Sequence, residues 1–117
     1  KGHHTDLFEI MRERKREALS SGVWAHALQH EDKLAQRLIE RAVKALGSGI
    51  ASAVNLLDVE VVLLGGGLGS RFGEPMLERI LAAMMPHLFK DEQPPVMRLS
   101  SLGDLGGAIG AALLCEP

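Results

Sequence analysis

The sequence predicts an α/β fold in which a long helix leads into a β-α-β-α run with an incomplete parallel sheet. Three observations carry this. The stretch "EDKLAQRLIERAVKALGSGIASAVNLLD" repeats apolar residues at three- and four-residue steps, the period of a helix. "VEVVLLGGG" is a short apolar run rich in Val, as expected of a strand covered on both faces in a parallel sheet. A second such run, "VMRLSSL", follows one more helical stretch, and that order implies parallel strands joined by a right-handed crossover.

The elements justify themselves in order. "TDLFEIMRERKREALSS" reads as a short helix capped by Asp6 or Thr5, with Leu7, Ile10 and Met11 at helical spacing and Leu19 extending the apolar side. Its charged stretch from Arg12 to Glu17 pairs Glu9 with Arg12 and Glu13 with Arg16 at i,i+3. That stretch is either a solvated helix face or a patch that contacts phosphate. "SSGVWAHALQHED" is a second short helix whose apolar face is Trp24 and Leu28. His26 and His30 stand at i,i+4, a spacing able to hold a metal, although no third ligand is evident and exposed polar positions are the plainer reading.

In the long helix, Leu34, Leu38, Ala42, Leu46, Ile50, Val54 and Leu57 form the expected buried stripe, while Lys33, Arg37, Glu40, Arg41 and Lys44 lie mostly off it. Past Lys44 the polar face shrinks, so the helix is expected to enter from solvent and end buried. At about 1.5 Å per residue, residues 32–57 span roughly 39 Å. Gly47 and Gly49 each cost about 1 kcal/mol relative to Ala inside a helix, which points to close approach of another backbone. After the first strand, "EPMLERILAAMMPHLF" forms a helix with Pro75 in its first turn and Met76, Leu77, Ile80, Leu81 and Met84 inward, stopped or kinked at Pro86. "KDEQPP" is a surface loop, and "GDLGGAIGAALLCEP" a last helix capped by Asp104.

Composition narrows the function classes. With 46% hydrophobic and 24% charged residues the chain is an ordinary globular domain, and 117 residues suffice for one small domain. No apolar run approaches the roughly 20 residues that span a bilayer. The polar N-terminus shows no signal peptide, and the single Cys115 fits a reducing cytoplasm. A net charge of −2 does not indicate a nucleic-acid-binding surface. The chain opens at Lys1 in mid-phrase and is expected to be a piece of a longer protein. Two strands do not make a stable sheet alone, so that protein or a second copy of the chain is expected to supply the neighbours. Met84, Met85 and Leu88 are candidate apolar contacts of a homodimer.

The glycines of "VVLLGGGLGSRFG" admit four explanations. A dinucleotide fingerprint from Gly65 requires glycine where Ser70 stands, and one from Gly67 requires it where Phe72 stands. A phosphate-binding P-loop requires Gly-Lys-Ser/Thr, which is absent from the sequence. The glycines can also serve only a sharp exit from the strand, since they tolerate positive φ. The fourth reading is a nucleotide site at the carboxyl end of a parallel strand, where side-chain-free backbone admits a base, ribose or phosphate.

"NLLDVEVVLLGGGLG", followed by "LGDLGGAIGAALL", resembles the C-terminal half of the ROK family (repressor, open reading frame, kinase), over about residues 32–114. The segment before it, residues 1–31, looks like the helical lead-in that follows the family's zinc-binding cysteine motif. The resemblance implies the ribonuclease-H-like half-domain of the sugar kinase and actin-like ATPase superfamily, with residues 32–117 as its C-terminal nucleotide-binding subdomain. It implies Mg-bound ATP between two lobes, with Gly65, Gly66, Gly67, Leu68 and Gly69 as the adenosine contacts. Gly106, Gly107 and Gly110 would let the last helix pack closely against its counterpart from the other half. The sequence departs from the family where Val59 replaces a frequent Pro. It also lacks the first phosphate motif, the catalytic Asp and the zinc cysteines, so the zinc site and the sugar contacts are expected outside this chain.

Three functions follow as expectations. The chain is the nucleotide-binding half of a glucokinase-like sugar kinase, without catalytic residues or a metal site of its own. Alternatively it is the sugar-sensing, dimerising half of a ROK repressor, or an α/β oligomerisation module without ligand. The resemblance also implies a cytoplasmic homodimer that binds nucleotide, takes sugar through the missing half, and touches neither membrane nor, through this chain, nucleic acid.

Overall fold

The computed structural model describes residues 4–115, except for the side chain of Asp104. The opening Gly2-His3 pair and the expected cap by Asp104 lie outside the described residues. Seven main elements follow in the expected order: α1 (Leu7–Glu13), α2 (Ser21–Gln29), α3 (Lys33–Leu57), β1 (Val61–Leu64), α4 (Gly66–Met84), β2 (Val96–Leu99) and α5 (Gly106–Leu113). Short 3-10 turns at Met85–His87 and Gly103–Leu105 close α4 and precede α5. No described helix is long and apolar enough to cross a membrane.

One carboxylate joins the first and third helices. Asp32 caps α3, its Oδ1 accepting from the Ala35 N–H at 2.7 Å. Its Oδ2 accepts from the Thr5 hydroxyl at 2.9 Å and the Asp6 N–H at 2.7 Å. Asp6 stands at the N-cap of α1 without a side-chain bond, whereas Thr5 serves the first turn as expected, its hydroxyl accepting from the Leu7 N–H at 3.3 Å and donating to Asp32. Burial pushes the Asp32 carboxyl upward, but the hydrogen bonds from Ala35, Asp6, Thr5 and Leu34 outweigh it and hold it below its ordinary 3.8. The Glu9–Arg12 and Glu13–Arg16 ion pairs do not form among the described residues.

The core is built on α3 and α4. The buried row of α3 is Ala35, Ile39, Val43, Gly47 and Ala51, one residue along from the leucine stripe expected. Leu38 and Leu46 stay 39% and 45% exposed. The neighbouring row wins because it is made of smaller residues, which let α4 come closer. At Gly47 a Cβ would lie 2.7 Å from the Ala83 carbonyl carbon and 2.9 Å from the Met84 nitrogen, so the backbones touch as the glycine implied. Gly49 has nothing within 4 Å of such a Cβ, and its expected close approach is absent among the described residues. From α4, Met76, Leu77, Ile80 and Met84 are buried and Leu81 is half-buried. A second cluster joins Leu7, Ile10, Val23, Ala27 and Ala35, so Val23 and Ala27 rather than Trp24 and Leu28 form the centre of the α2 face.

The sheet has β1 and β2 paired in parallel, with Val61 opposite Val96 and Leu64 opposite Leu99. Val62, Leu64, Met97 and Leu99 are half-buried on the helix side, while Val61 and Leu63 on the other face are 49% and 67% exposed. Both-sided cover, expected from the apolar run, is therefore not supplied by these residues. The C-terminal end of α3 is likewise exposed rather than buried, at Leu56 and Leu57. No residue of α5 is buried, and among the described residues nothing lies within 4 Å of a Cβ built on Gly107 or Gly110. The proposed dimer contacts also need correction: Met84 and Leu88 lie in the core with Ala51, and only Met85 is half-exposed.

Two measurements check this packing. Gly47→Ala forces atoms into the α4 backbone and should lose about 1–3 kcal/mol in urea unfolding, whereas Gly49→Ala should be neutral or gain up to about 1 kcal/mol. Asp32→Ala should lose about 1–2 kcal/mol at neutral pH. Because the folded carboxyl titrates below 3.8, that stabilisation is complete above 3.8 and fades as pH falls through the folded value. The gap between wild type and variant should therefore narrow in acid; a gap independent of pH contradicts the assignment.

Candidate functional site

The site begins where the parallel strand ends. After Leu64 the chain stays extended through Gly65, with φ −121° and ψ −171°, and Gly66 then takes φ +83° as α4 starts. The left-handed angle at Gly66 is the sharp exit that the glycine run anticipated. The helix starts earlier than expected, at Gly66 rather than beside Pro75. It is broken at Gly73, where φ 59° and ψ −150° are non-helical, and Pro75 then sits in the first turn of the resumed helix. Gly65 offers no side-chain cap to the first turn, so backbone N–H groups at Gly66–Leu68 remain open to an acceptor at the positive end of the helix dipole.

A groove of about 470 Å³ lies over this turn, lined by Leu19, Ser21, Trp24, Gly65, Gly66, Gly67 and Leu68. Its volume falls within the roughly 300–1,000 Å³ usual for small-molecule sites. Nothing lies within 4 Å of a Cβ built on Gly66; at Gly65 such an atom would meet Ser100 at 3.5 Å and at Gly67 the Ser21 hydroxyl at 3.6 Å. The structure thus gathers four of the five sequence-predicted contacts around one groove. Gly69 goes elsewhere: it is buried, with a Cβ position 3.3 Å from Leu64 Cγ, and lets the first turn of α4 lie on the end of β1.

The opposite wall comes from α2 and the turn before it, and sequence reasoning missed it. Trp24, the chain's single tryptophan, is half-buried and borders both the core and the groove. Its place in an i,i+4 apolar pair made it look like core alone; the Ser-Gly turn just before it was the available signal. Ser21 receives a hydrogen bond from Arg71 Nε at 3.3 Å and also borders a second hollow with Gly67, Ser70 and Arg71. The arrangement offers an apolar wall at Leu19, Trp24 and Leu68, a bare backbone floor, and a cation at one end. Those features fit a nucleoside, with a ring against Trp24 and polar edges toward the glycine N–H groups.

The two histidines form a different constellation. The rings of His26 and His30 stack with centroids 4.4 Å apart and 23° between planes. They border a hollow of about 190 Å³ with Asp6, Glu9 and Glu13. His26 is half-buried rather than exposed, and its Nδ1 is buried without a hydrogen-bond partner among the described residues. Among the described residues no three His, Cys, Asp or Glu side chains are placed to hold a metal ion.

Comparison with known proteins agrees with this architecture. The ROK family pattern matches residues 7–117. The chain is 37% identical over 95 residues to the N-acetylgalactosamine kinase AgaK of Shewanella sp. (strain ANA-3), covering 78% of this chain and 29% of that protein. It is 31% identical to the N-acetyl-D-glucosamine kinase of Histophilus somni (strain 129Pt), over 92% of this chain and 35% of that one. The fold superposes on the crystal structure of a ROK hexokinase from Thermus thermophilus with a TM-score of 0.67 and 33% identity, covering 91% of this chain and 35% of the other. The chain thus spans about a third of the length of these relatives.

The two central glycines separate by their backbones. Gly66→Ala places a side chain at φ +83° and should lose about 1 kcal/mol of stability. Gly67→Ala, helical and in ordinary contact range of Ser21, should match wild type or gain slightly in thermal unfolding.

Proposed function

The chain belongs to the ROK family, and from that premise we propose that it is the nucleotide-binding C-terminal part of a sugar kinase that transfers a phosphoryl group to a sugar hydroxyl. One observation carries the reading: the groove over the bare backbone of Gly65–Gly67, walled by Trp24, at the carboxyl end of a parallel strand. That the relatives named above are kinases supports this reading over a repressor one. ATP, when bound, supplies the phosphoryl group. The chain's own residues bind and orient: Trp24 and Leu68 flank the ring, and the N–H groups of the first turn of α4 donate to ribose or phosphate oxygens.

The described residues offer no carboxylate cluster for Mg²⁺ and no base beside the groove. The catalytic base, the Mg²⁺ ligands, the sugar contacts and zinc are proposed to come from the rest of the kinase, which this chain would need for phosphoryl transfer. The relatives point to a hexose or an N-acetylhexosamine as the acceptor. The protein is further proposed to act as a cytoplasmic homodimer.

Gly66 is a poor probe of this site, because its positive φ confounds ligand effects with strain. Gly67→Val is the better one, since its branches project into the groove from unstrained backbone. In the complete kinase it should raise the KM for ATP about tenfold, with the KM for sugar and the melting temperature little changed. An unchanged KM for ATP removes the groove from the nucleotide site.

A further inference from the structure

The helix that carries the glycine turn is mechanically two pieces. α4 leaves the helical path at Gly73, where φ 59° and ψ −150° describe a backbone open almost only to glycine. Two residues on, Pro75 has no N–H to give the carbonyl of Arg71, four residues before it, and its ring crowds that carbonyl. The ladder of helix hydrogen bonds is therefore interrupted between positions 71 and 75. At its other end the first piece begins at Gly66, with φ +83°. Residues 66–72 thus lie between two glycines whose backbone angles break the path of the chain.

The two pieces are held unequally. Beyond the break, Met76, Leu77, Ile80 and Met84 are buried, and the backbone at Ala83 and Met84 meets Gly47. Before it, Gly69 alone is buried and Phe72 is half-buried. Phe72 packs at the edge of the cluster of Ile39, Val43, Met76 and Ile80, so the end beside the break is anchored. Gly69 rests on Leu64 without a side chain, and lifting it away uncovers few atoms. Toward α2, the one side-chain hydrogen bond of residues 66–72 among the described residues runs from Arg71 Nε to Ser21 Oγ, 3.3 Å long and at the surface. Sparse burial and a solvent-exposed bond mark a segment that opens while the core stays folded.

The groove lies between this segment and α2. Gly66, Gly67 and Leu68 belong to the segment, and Leu19, Ser21 and Trp24 belong to α2 and the turn before it. We propose that residues 66–72 are a hinged arm that pivots beside Gly73, is latched to α2 by Arg71 and Ser21, and sets the width of the groove. A ligand that touches both walls binds the latched form better and shifts the arm toward it. That this ligand is a nucleoside rests on the reading given under the proposed function; the hinge and the latch do not.

Time-resolved energy transfer from Trp24, the single tryptophan, tests the arm in the full chain. With Cys115→Ser removing the free thiol, a fluorophore is attached through Ser70→Cys on the arm, or through Arg79→Cys beyond the hinge; both positions are exposed. Arg71→Met and Ser21→Ala each remove the latch and should keep the wild-type circular dichroism. Each should make the distribution of distances from Trp24 to position 70 about twice as broad and leave that to position 79 unchanged. No broadening at position 70, or equal broadening at both positions, overturns the proposal, the second because α4 then moves as one piece. Broadening with Arg71→Met alone overturns the latch. Saturating adenosine should narrow the distribution at position 70; adenosine that binds by titration calorimetry without narrowing it shows that the arm does not set the groove. Adenosine that does not bind removes the proposed nucleoside site, and the latch variants then decide the arm by themselves.

Discussion

The contact on which the rest of the molecule depends is the crossing of α3 and α4 at Gly47. A Cβ there would collide with the backbone at Ala83 and Met84, so only glycine permits this distance. The neighbouring row positions are small or compact as well, at Ala35, Val43 and Ala51. Close approach packs Ile39 and Val43 on Met76 and Ile80, and it fixes where α4 runs. Since α4 starts at the glycine turn, the same contact sets the position of Gly66 and Gly67 relative to Trp24. Leu64 and Met97 close the core from the strand side, so sheet and helix pair form one mechanical unit.

The core covers one face of the sheet, and large apolar side chains stay exposed on the strand, on the end of α3 and around α5. Leu56, Leu57, Leu63, Leu105, Leu113 and Leu114 are all more than half exposed. Two parallel strands with open edges are not a self-sufficient sheet. The exposed strand face and the bare glycines of α5 have the character of surfaces shaped for contact. Asn55 shows how the chain secures itself where it can: its amide donates to the His87 carbonyl at 2.8 Å and accepts from the Phe89 N–H at 2.9 Å, pinning the end of α4 to α3.

The groove and the cavity lined by Arg14, Arg16 and Arg71 differ in chemistry. One offers an aromatic and aliphatic wall over bare backbone. The other offers localised positive charge without apolar cover. Ser21 borders both, and its hydroxyl fixes Arg71 at their boundary. The turn between α1 and α2 thereby contributes to the glycine site although it lies more than forty residues away in sequence.

Sequence by itself determined the order of elements, the parallel pairing, the glycine exit after Leu64 and the family. The first three follow from local rules: a period of three to four residues, a Val-rich run, and glycine where φ must be positive; the family came from the resemblance of the two glycine motifs. The tertiary structure decided which row of α3 turns inward, because the leucine row and the Ala-Ile-Val-Gly row are adjacent on the helix and both are apolar. Only the distance to α4 chooses between them. It also decided that Gly69 serves packing rather than the groove, that Trp24 forms the opposite wall, and that Arg14, Arg16 and Arg71 share one cavity. Each of these joins residues far apart in the chain, and no period or motif within a single segment encodes which remote side chain will face it.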